Sequence, residues 1–271
     1  MEKEAGRFNI FRSGLAGVSA VRADTDITFP RHIHDQFGIG VVERGAQKSL
    51  SGRGRVEAGS GDTITVNPGE VHDGAPIGDR GRTWSMLYLE PSLVSDISSM
   101  ITDGRRMNYE FSLPVIHQAE ISSRFRGLFY AVTSQNTEAA ALLREEVLLL
   151  LFSDLMAEPS SGRWRAAPDI MRNARELIDS DPAAPISLDD LARETSLGKF
   201  QVLRGFEKLT GLTPHAYLIQ RRIHLARNLI TRGMPLAEVS AASGFADQSH
   251  MNRLFLRNFG ITPGAYAKAV A

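Results

Sequence analysis

The chain of 271 residues contains no cysteine. This absence excludes structural disulfides, cysteine-ligated zinc and catalysis by a cysteine nucleophile. Long hydrophobic runs are also missing, because the longest apolar stretch, Val147–Phe152, is far shorter than a membrane span. The first residues, 1–12, mix charges throughout and lack the apolar segment of a secretory signal. We therefore expect a soluble, cytoplasmic protein that does not have a membrane as a partner.

A net charge is missing as well, since 31 basic residues balance 31 acidic ones. The two halves differ, however. Residues 1–157 carry 16 basic and 20 acidic side chains, a net −4, whereas residues 158–271 carry 15 and 11, a net +4. A C-terminal basic excess suits a module that binds phosphates, although a contrast of this size decides nothing by itself.

The length suits two domains, and the pattern of the sequence changes between them. Up to about residue 90, short apolar stretches such as Phe37–Val42, Thr63–Val66 and Thr83–Leu89 are separated by glycine-rich turns, which predicts a β-sandwich or barrel. Helical periodicity follows in Glu120–Ser134 and Thr137–Ala157. We expect a first domain over residues 1–157 and a Pro/Ser/Gly-containing linker over 158–168.

The remaining residues, 169–271, show only helical patterns. The predicted helices are Asp169–Ser180, Leu188–Thr195, Lys199–Leu209, Pro214–Arg232, Pro235–Ala242, Asp247–Asn258 and Thr262–Val270. We therefore expect an all-α domain of seven helices.

One motif occurs twice in this helical half. Its six positions recur at an offset of 49 residues: Arg204, Phe206, Gly211, Thr213, Pro214 and Tyr217 reappear as Arg253, Phe255, Gly260, Thr262, Pro263 and Tyr266. Each copy follows a short helix and a tight turn, which is the arrangement of a helix-turn-helix. The predicted helix between the copies would span roughly 28 Å, close to the one-turn spacing of about 34 Å between major-groove segments. The alternative is a helical bundle whose arginines are only solvated.

The second copy is well equipped to read base edges. Its outward positions are Gln248, Ser249, Asn252 and Arg253. Arginine matches guanine, whereas glutamine and asparagine match adenine. At the corresponding face the first copy offers Phe200, Leu203 and Arg204.

These residues carry a family resemblance. The segments Leu188–Tyr217 and Pro235–Tyr266 resemble the tandem helix-turn-helix domain of the AraC/XylS family of bacterial transcription regulators. The resemblance implies binding to double-stranded DNA. It implies contacts to bases or backbone at Phe200, Leu203 and Arg204, and at Gln248, Ser249, Asn252 and Arg253.

The first copy departs from a polar reading helix. Leu203 offers no hydrogen bond, and Gly205 costs the helix about 1 kcal/mol relative to alanine. We therefore hypothesise that this copy reads DNA shape or a thymine methyl group.

Three histidines of the N-terminal half are spaced as in the two short motifs of a cupin barrel. They are His32, His34 and His72. The carboxylate that usually completes a cupin metal site is missing, because Gly38 and Ile39 stand in its place. We expect no metal and no cofactor. The open alternatives are a structural role, a place in a ligand pocket and a metal site.

In the family this barrel binds a small effector. The resemblance places effector contacts at Arg44, Trp84 and Met86, and we add the three histidines as candidates. Trp84 and Met86 share one face of a strand by period two, which fits either a pocket or plain core. Arg44 would suit an anionic or hydroxylated ligand if it points inward, and would be solvated if it points outward.

The expected fold class is therefore α+β with two domains, a cupin-like β-barrel with flanking helices followed by the seven-helix tandem helix-turn-helix domain. We expect a DNA-binding regulator that is not an enzyme, which forms a homodimer through the 137–157 helix and contacts RNA polymerase. The apolar seam of that helix could instead cover its own barrel. Two alternative functions are a cupin metalloenzyme with an accessory DNA-binding domain and a dimeric regulator without an effector.

Overall fold

The computed structural model describes residues 6–78, 80–102, 109–133, 138–157 and 169–270. The chain divides into two compact units, Met1–Pro30 with His34–Arg163, and Arg31–Ile33 with Trp164–Ala271. The predicted linker, 158–168, lies outside the described residues. In the described part of the chain, no helix combines the length and the apolar character needed to cross a membrane.

The N-terminal part is rich in strands. They are β1 (Arg7–Phe11), β2 (Val18–Thr25), β3 (Phe29–His32), β4 (Phe37–Arg44), β5 (Ala46–Ser51), β6 (Gly54–Gly59), β7 (Thr63–Val66), β8 (His72–Pro76), β9 (Arg82–Leu89) and β10 (Val115–Ile116). Three helices accompany them, α1 (Pro91–Ile101), α2 (Ala119–Thr133) and α3 (Glu138–Ala157). The strands predicted from the apolar stretches are confirmed, whereas α1 was not predicted.

The strands form two sheets, of order β1-β2-β9-β4-β7-β10 and β3-β8-β5-β6. The predicted barrel is therefore present as two sheets rather than as one closed sheet. In the first sheet β4 runs antiparallel to β9, with Gly38 opposite Tyr88 and Gly40 opposite Met86. This register places two glycines beside the large side chains of β9.

The two faces of β9 serve different cores. Leu87 and Leu89 lie in the main core, which also contains Phe125 of α2 and Leu151 of α3. Trp84 lies in a smaller cluster. The alternation of side chains along a strand explains this division. Because Leu151 shares this core with Leu87 and Leu89, the apolar seam of α3 packs on the sheet of its own domain.

The C-terminal part contains the seven predicted helices. They are α4 (Asp169–Ser180), α5 (Leu188–Thr195), α6 (Lys199–Thr210), α7 (Pro214–Thr231), α8 (Leu236–Ala242), α9 (Gln248–Phe259) and α10 (Pro263–Val270). Ile223 of α7, Val239 of α8 and Phe255 of α9 share a buried core. The pairs α5/α6 and α8/α9 are the predicted helix-turn-helix copies.

Candidate DNA-binding and effector-binding sites

Glycine ends both candidate recognition helices. Gly211 follows α6 with φ 75° and Gly260 follows α9 with φ 73°. Both values lie in the left-handed region, which glycine adopts without steric cost. The repeated glycine therefore stops each helix at the same place.

The Thr-Pro pair then starts the next helix in each copy. Thr213 Oγ1 accepts a hydrogen bond from the Ala216 N–H at 3.3 Å, and Thr262 Oγ1 accepts one from the Ala265 N–H at 3.2 Å. Each threonine satisfies an N–H group that has no partner within its helix, and the proline after it suits the first helical turn. This part of the motif is a helix boundary.

An aromatic pair joins the two helices at each boundary. The rings of Phe206 and Tyr217 meet edge to face with centroids 5.4 Å apart, and those of Phe255 and Tyr266 do so at 5.6 Å. Both phenylalanines are fully buried. The repeated Phe and Tyr therefore fix the angle between the recognition helix and its successor.

Arg204 and Arg253 are the repeated residues without a part in this boundary. Both are exposed, and neither forms an ion pair with another described residue. Their guanidinium groups are therefore available to bind a partner molecule.

On α6 the candidate DNA-binding positions include two exposed apolar side chains. Phe200 is 70% exposed and Leu203 is 37% exposed, while Val202 and Phe206 are fully buried beneath them. The Arg204 guanidinium lies 5.8 Å from the centre of the Phe200 ring. The first candidate surface therefore presents an aromatic ring, an aliphatic side chain and one positive charge.

Gly205 has a packing role on the same helix. A Cβ atom at this position would lie 2.7 Å from Sδ of Met171, a buried residue of α4. The glycine that lowers the helix propensity of α6 thus lets α4 approach closely.

On α9 the outward face is polar. Gln248, Ser249 and Arg253 are exposed. Asn252 is half-buried, and its Oδ1 is buried without a hydrogen-bond partner among the described residues. The Asp247 carboxylate accepts a hydrogen bond from the His250 N–H at 2.7 Å and so caps the start of the helix.

The helix between the two copies, α7, has 18 residues. At the usual rise it is roughly 27 Å long, close to the predicted length. It lies in one compact unit with both copies.

The N-terminal histidines come together. His32, His34 and His72 each offer a ring nitrogen, and these atoms lie within 4.8 Å of one another. The His34 ring also lies 5.0 Å from that of Tyr88. Three imidazoles at this distance could hold a metal ion or receive a polar ligand.

The protonation state of His72 follows from its surroundings. Burial lowers the pKa of His72 to about 4, against the weaker opposing effect of a hydrogen bond to the Glu70 backbone. His72 is therefore neutral near pH 7. Its Nδ1 lies 3.1 Å from the Glu70 carbonyl oxygen, which can only accept, so Nδ1 carries the proton.

The other three candidate effector residues differ in burial. Trp84 and Met86 are buried and share a cluster with Ala23 and Phe29. Arg44 has a half-exposed side chain and forms an ion pair with Asp24 at 2.6 Å. This corresponds to the outward orientation of Arg44 that the sequence left open.

Known families match both parts of the chain. A family model described as an AraC-like ligand binding domain matches residues 15–152, and one described as a helix-turn-helix domain matches residues 191–269.

Full-length relatives and structures agree with these matches. An uncharacterized HTH-type transcriptional regulator, YbfI of Bacillus subtilis (strain 168), is 28% identical over 227 residues, which cover 82% of this chain and 81% of the relative. The HTH-type transcriptional activator RhaS of Klebsiella pneumoniae (strain 342) is 22% identical, with 94% and 93% covered. The crystal structure of ToxT from Vibrio cholerae O395 has a TM-score of 0.59 at 14% identity and 99% coverage of both chains. The chain therefore belongs to the AraC family of transcriptional regulators, with an N-terminal ligand-binding domain and a C-terminal helix-turn-helix domain.

Proposed function

We propose that the chain reads DNA with two unlike surfaces. The first consists of Phe200, Leu203 and Arg204, and the second of Gln248, Ser249, Asn252 and Arg253. The observation that carries this proposal is the pair of matched helix boundaries, each of which leaves an exposed arginine without an ion-pair partner among the described residues. The second surface would hydrogen-bond to base edges, and the first would contact a thymine methyl group or the shape of the groove.

Selection of bound sequences from a pool of random duplexes tests this division. We expect a bipartite site with strong base preferences in one half and an A·T-rich, weaker preference in the other. A strict requirement for guanine in both halves would contradict the proposed apolar reading by α6. The salt dependence of binding, measured on the selected duplex, then reports the phosphate contacts.

The N-terminal domain would bind the effector with His32, His34, His72, Trp84 and Met86, and Arg44 would contact it at the exposed edge. The ring nitrogens of His32, His34 and His72 lie within 4.8 Å of one another, and such a cluster of imidazoles suits a polar group of the ligand. Thermal unfolding across a library of sugars, amino acids and small acids tests this function. A ligand at 100 times its dissociation constant should stabilise the protein by about 2.7 kcal/mol. A library without any hit would favour a regulator that has no effector.

The cluster of three histidines also supports the alternative of a metalloenzyme with an accessory DNA-binding domain. Elemental analysis of the purified protein separates the two functions. Stoichiometric iron, manganese or zinc that disappears in His34→Ala and His72→Ala would favour the enzyme. A metal-free protein that still responds to a ligand would favour the regulator.

A homodimer would form through the outward side of α3. Leu148, Leu151 and Leu155 are used by the core, but Leu150 is 42% exposed. We expect Leu150→Lys to lower the molar mass measured by light scattering from dimer to monomer. An unchanged mass would exclude this face. Contact with RNA polymerase and a cytoplasmic location are further expectations from the family.

A further inference from the structure

Arg82 is an unusual residue of the N-terminal domain. It begins β9 and is only 1% exposed. Its Nε lies 2.9 Å from Oε1 of Gln47, its Nη1 lies 3.1 Å from the Ile27 carbonyl oxygen, and its Nη2 lies 3.4 Å from the Gly74 carbonyl oxygen. These acceptors are all neutral, and no described carboxylate pairs with Arg82.

Two other arginines of this domain, Arg124 and Arg126, are paired with acids and are more exposed. Arg124 binds Asp154 at 2.6 Å and Arg126 binds Glu43 at 3.0 Å, with side chains about two-fifths exposed. A charge in water needs no partner, whereas a buried charge without one is costly. Arg82 therefore differs from Arg124 and Arg126, because it is buried and its acceptors among the described residues are all neutral.

Among the described residues, the guanidinium uses three of its five N–H groups as hydrogen-bond donors, which leaves two for another acceptor. Burial lowers the pKa of Arg82 to about 10, so the group is still charged near pH 7. A bound anion would supply a negative charge and acceptors that the described residues do not provide.

The surroundings define the rest of such a ligand. The Arg82 guanidinium lies 5.9 Å from the centre of the Phe29 ring, which packs in one cluster with Trp84 and Met86. Arg82, Trp84 and Met86 follow one another on the same face of β9 by period two. The positive charge therefore stands at one end of an apolar surface.

Met86 fills the space beside this surface. A Cβ atom at Gly40 would overlap Sδ of Met86, and one at Gly38 would lie 3.0 Å from its Cε. The thioether thus occupies volume that two glycines of β4 leave open. Methionine is unbranched and adapts its shape, so a ligand can displace it without moving the backbone.

We propose that Arg82 is the anion-binding residue of the effector site, and that the effector is a small monocarboxylate whose apolar body lies beside Trp84 in the space taken by Met86. This inference rests on the proposed effector function and names the chemical class of the ligand.

Tryptophan fluorescence of the full chain tests the proposal. The chain has two tryptophans, Trp84 and Trp164, so Trp164→Phe leaves Trp84 as the only reporter. We would titrate this variant with benzoate, phenylacetate and hexanoate, and with their primary amides as uncharged controls of the same shape. We expect a saturable change of the Trp84 signal with a carboxylate, and binding of its amide that is weaker by at least about tenfold.

Substitutions of Arg82 then test whether it binds the carboxylate group of the ligand. Arg82→Gln should weaken carboxylate binding by at least about tenfold and reduce the preference over the amide, because a charge-assisted hydrogen bond is lost. Arg82→Lys keeps the charge and should retain the preference with reduced affinity, which covers the case that Arg82→Gln does not fold. Arg126→Gln is the matched control and should bind as the parent does.

Three results would overturn the proposal: no saturable binding of any of these carboxylates, equal affinity for acid and amide, or full affinity in folded Arg82→Gln. Failure of the proposed effector function is distinguishable. Suppose that a neutral library compound binds and alters the affinity for the selected duplex equally in the parent and in Arg82→Gln. This result would support the proposed effector function and would exclude Arg82 as its anion-binding residue.

Discussion

The two helix-turn-helix copies share a scaffold and differ on their outward faces. Both end the recognition helix at a left-handed glycine and start the next helix with a threonine cap. On α6 the exposed face carries Phe200 and Leu203, whereas on α9 it carries Gln248 and Ser249. The motif that repeats along the sequence is therefore mainly a folding motif, and the proposed reading chemistry lies mostly at positions that do not repeat.

The turns differ too. Three residues separate α5 from α6, whereas five separate α8 from α9. The first turn holds Ser196 at φ 55°, and the second holds Gly244 at φ 79°. At the start of α6 the Gly198 N–H is bonded by the side chain of Gln201, whereas Asp247 caps α9 directly. The two turns share one left-handed residue, which is a serine in the first turn and a glycine in the second.

We expect the largest contrast at these turns. Gly244→Ala should destabilise the protein by about 2–4 kcal/mol, because the added Cβ would lie 2.8 Å from the Cα and carbonyl oxygen of Ala183 in a left-handed conformation. Ser196→Gly should stabilise it by up to about 1 kcal/mol, since it removes the left-handed cost of a residue with a side chain. Chemical denaturation followed by circular dichroism measures both. If both substitutions changed the unfolding free energy in the same direction, the left-handed backbone would not be the common cause of the two effects.

The next contrast concerns DNA. Arg253→Ala should weaken binding to the selected duplex by about 1–3 kcal/mol and relax the base preference in its half-site. Arg204→Ala should weaken binding by less and leave base preferences nearly unchanged, because its neighbours Phe200 and Leu203 are apolar. Fluorescence anisotropy on the selected duplex and on single-base variants measures this difference. Unchanged affinity in Arg253→Ala would exclude α9 as the polar reader.

The repeated tyrosines should differ by a smaller amount. Tyr217 donates to the Asp179 carboxylate at 2.9 Å, and burial together with that carboxylate raises its pKa, so the hydroxyl keeps its proton. Tyr266 OH lies 3.3 Å from Thr231 Oγ1 in an exposed contact.

We therefore expect Tyr217→Phe to cost about 1–2 kcal/mol of unfolding free energy and Tyr266→Phe less than about 0.5 kcal/mol. Denaturation curves of the two variants provide the comparison. Equal costs would contradict the expectation that the hydrogen bond of Tyr217 to Asp179 contributes more to stability than the exposed contact of Tyr266.

The elements that carry local signals were predictable. The helix boundaries of the second domain follow from glycine, threonine and proline at fixed offsets, and the two buried phenylalanines follow from helical spacing. The orientation of Arg44 was not predictable, because it depends on which strands become neighbours. The burial of Arg82 was missed although the sequence carries a signal for it, because Arg82 alternates in phase with Trp84 and Met86 along the strand.

The last contrast tests whether Gly205 serves packing, since the corresponding position in the second copy is Leu254. Gly205→Ala alone should change the unfolding free energy by less than about 1 kcal/mol, because the gain in helix propensity is offset by contact with Met171. After Met171→Ala, which opens space between α4 and α6, the same substitution should stabilise the protein by about 1 kcal/mol. A double-mutant cycle measured by denaturation gives the coupling between the two sites. Additive effects would show that the glycine is tolerated in α6 rather than required by the approach of α4.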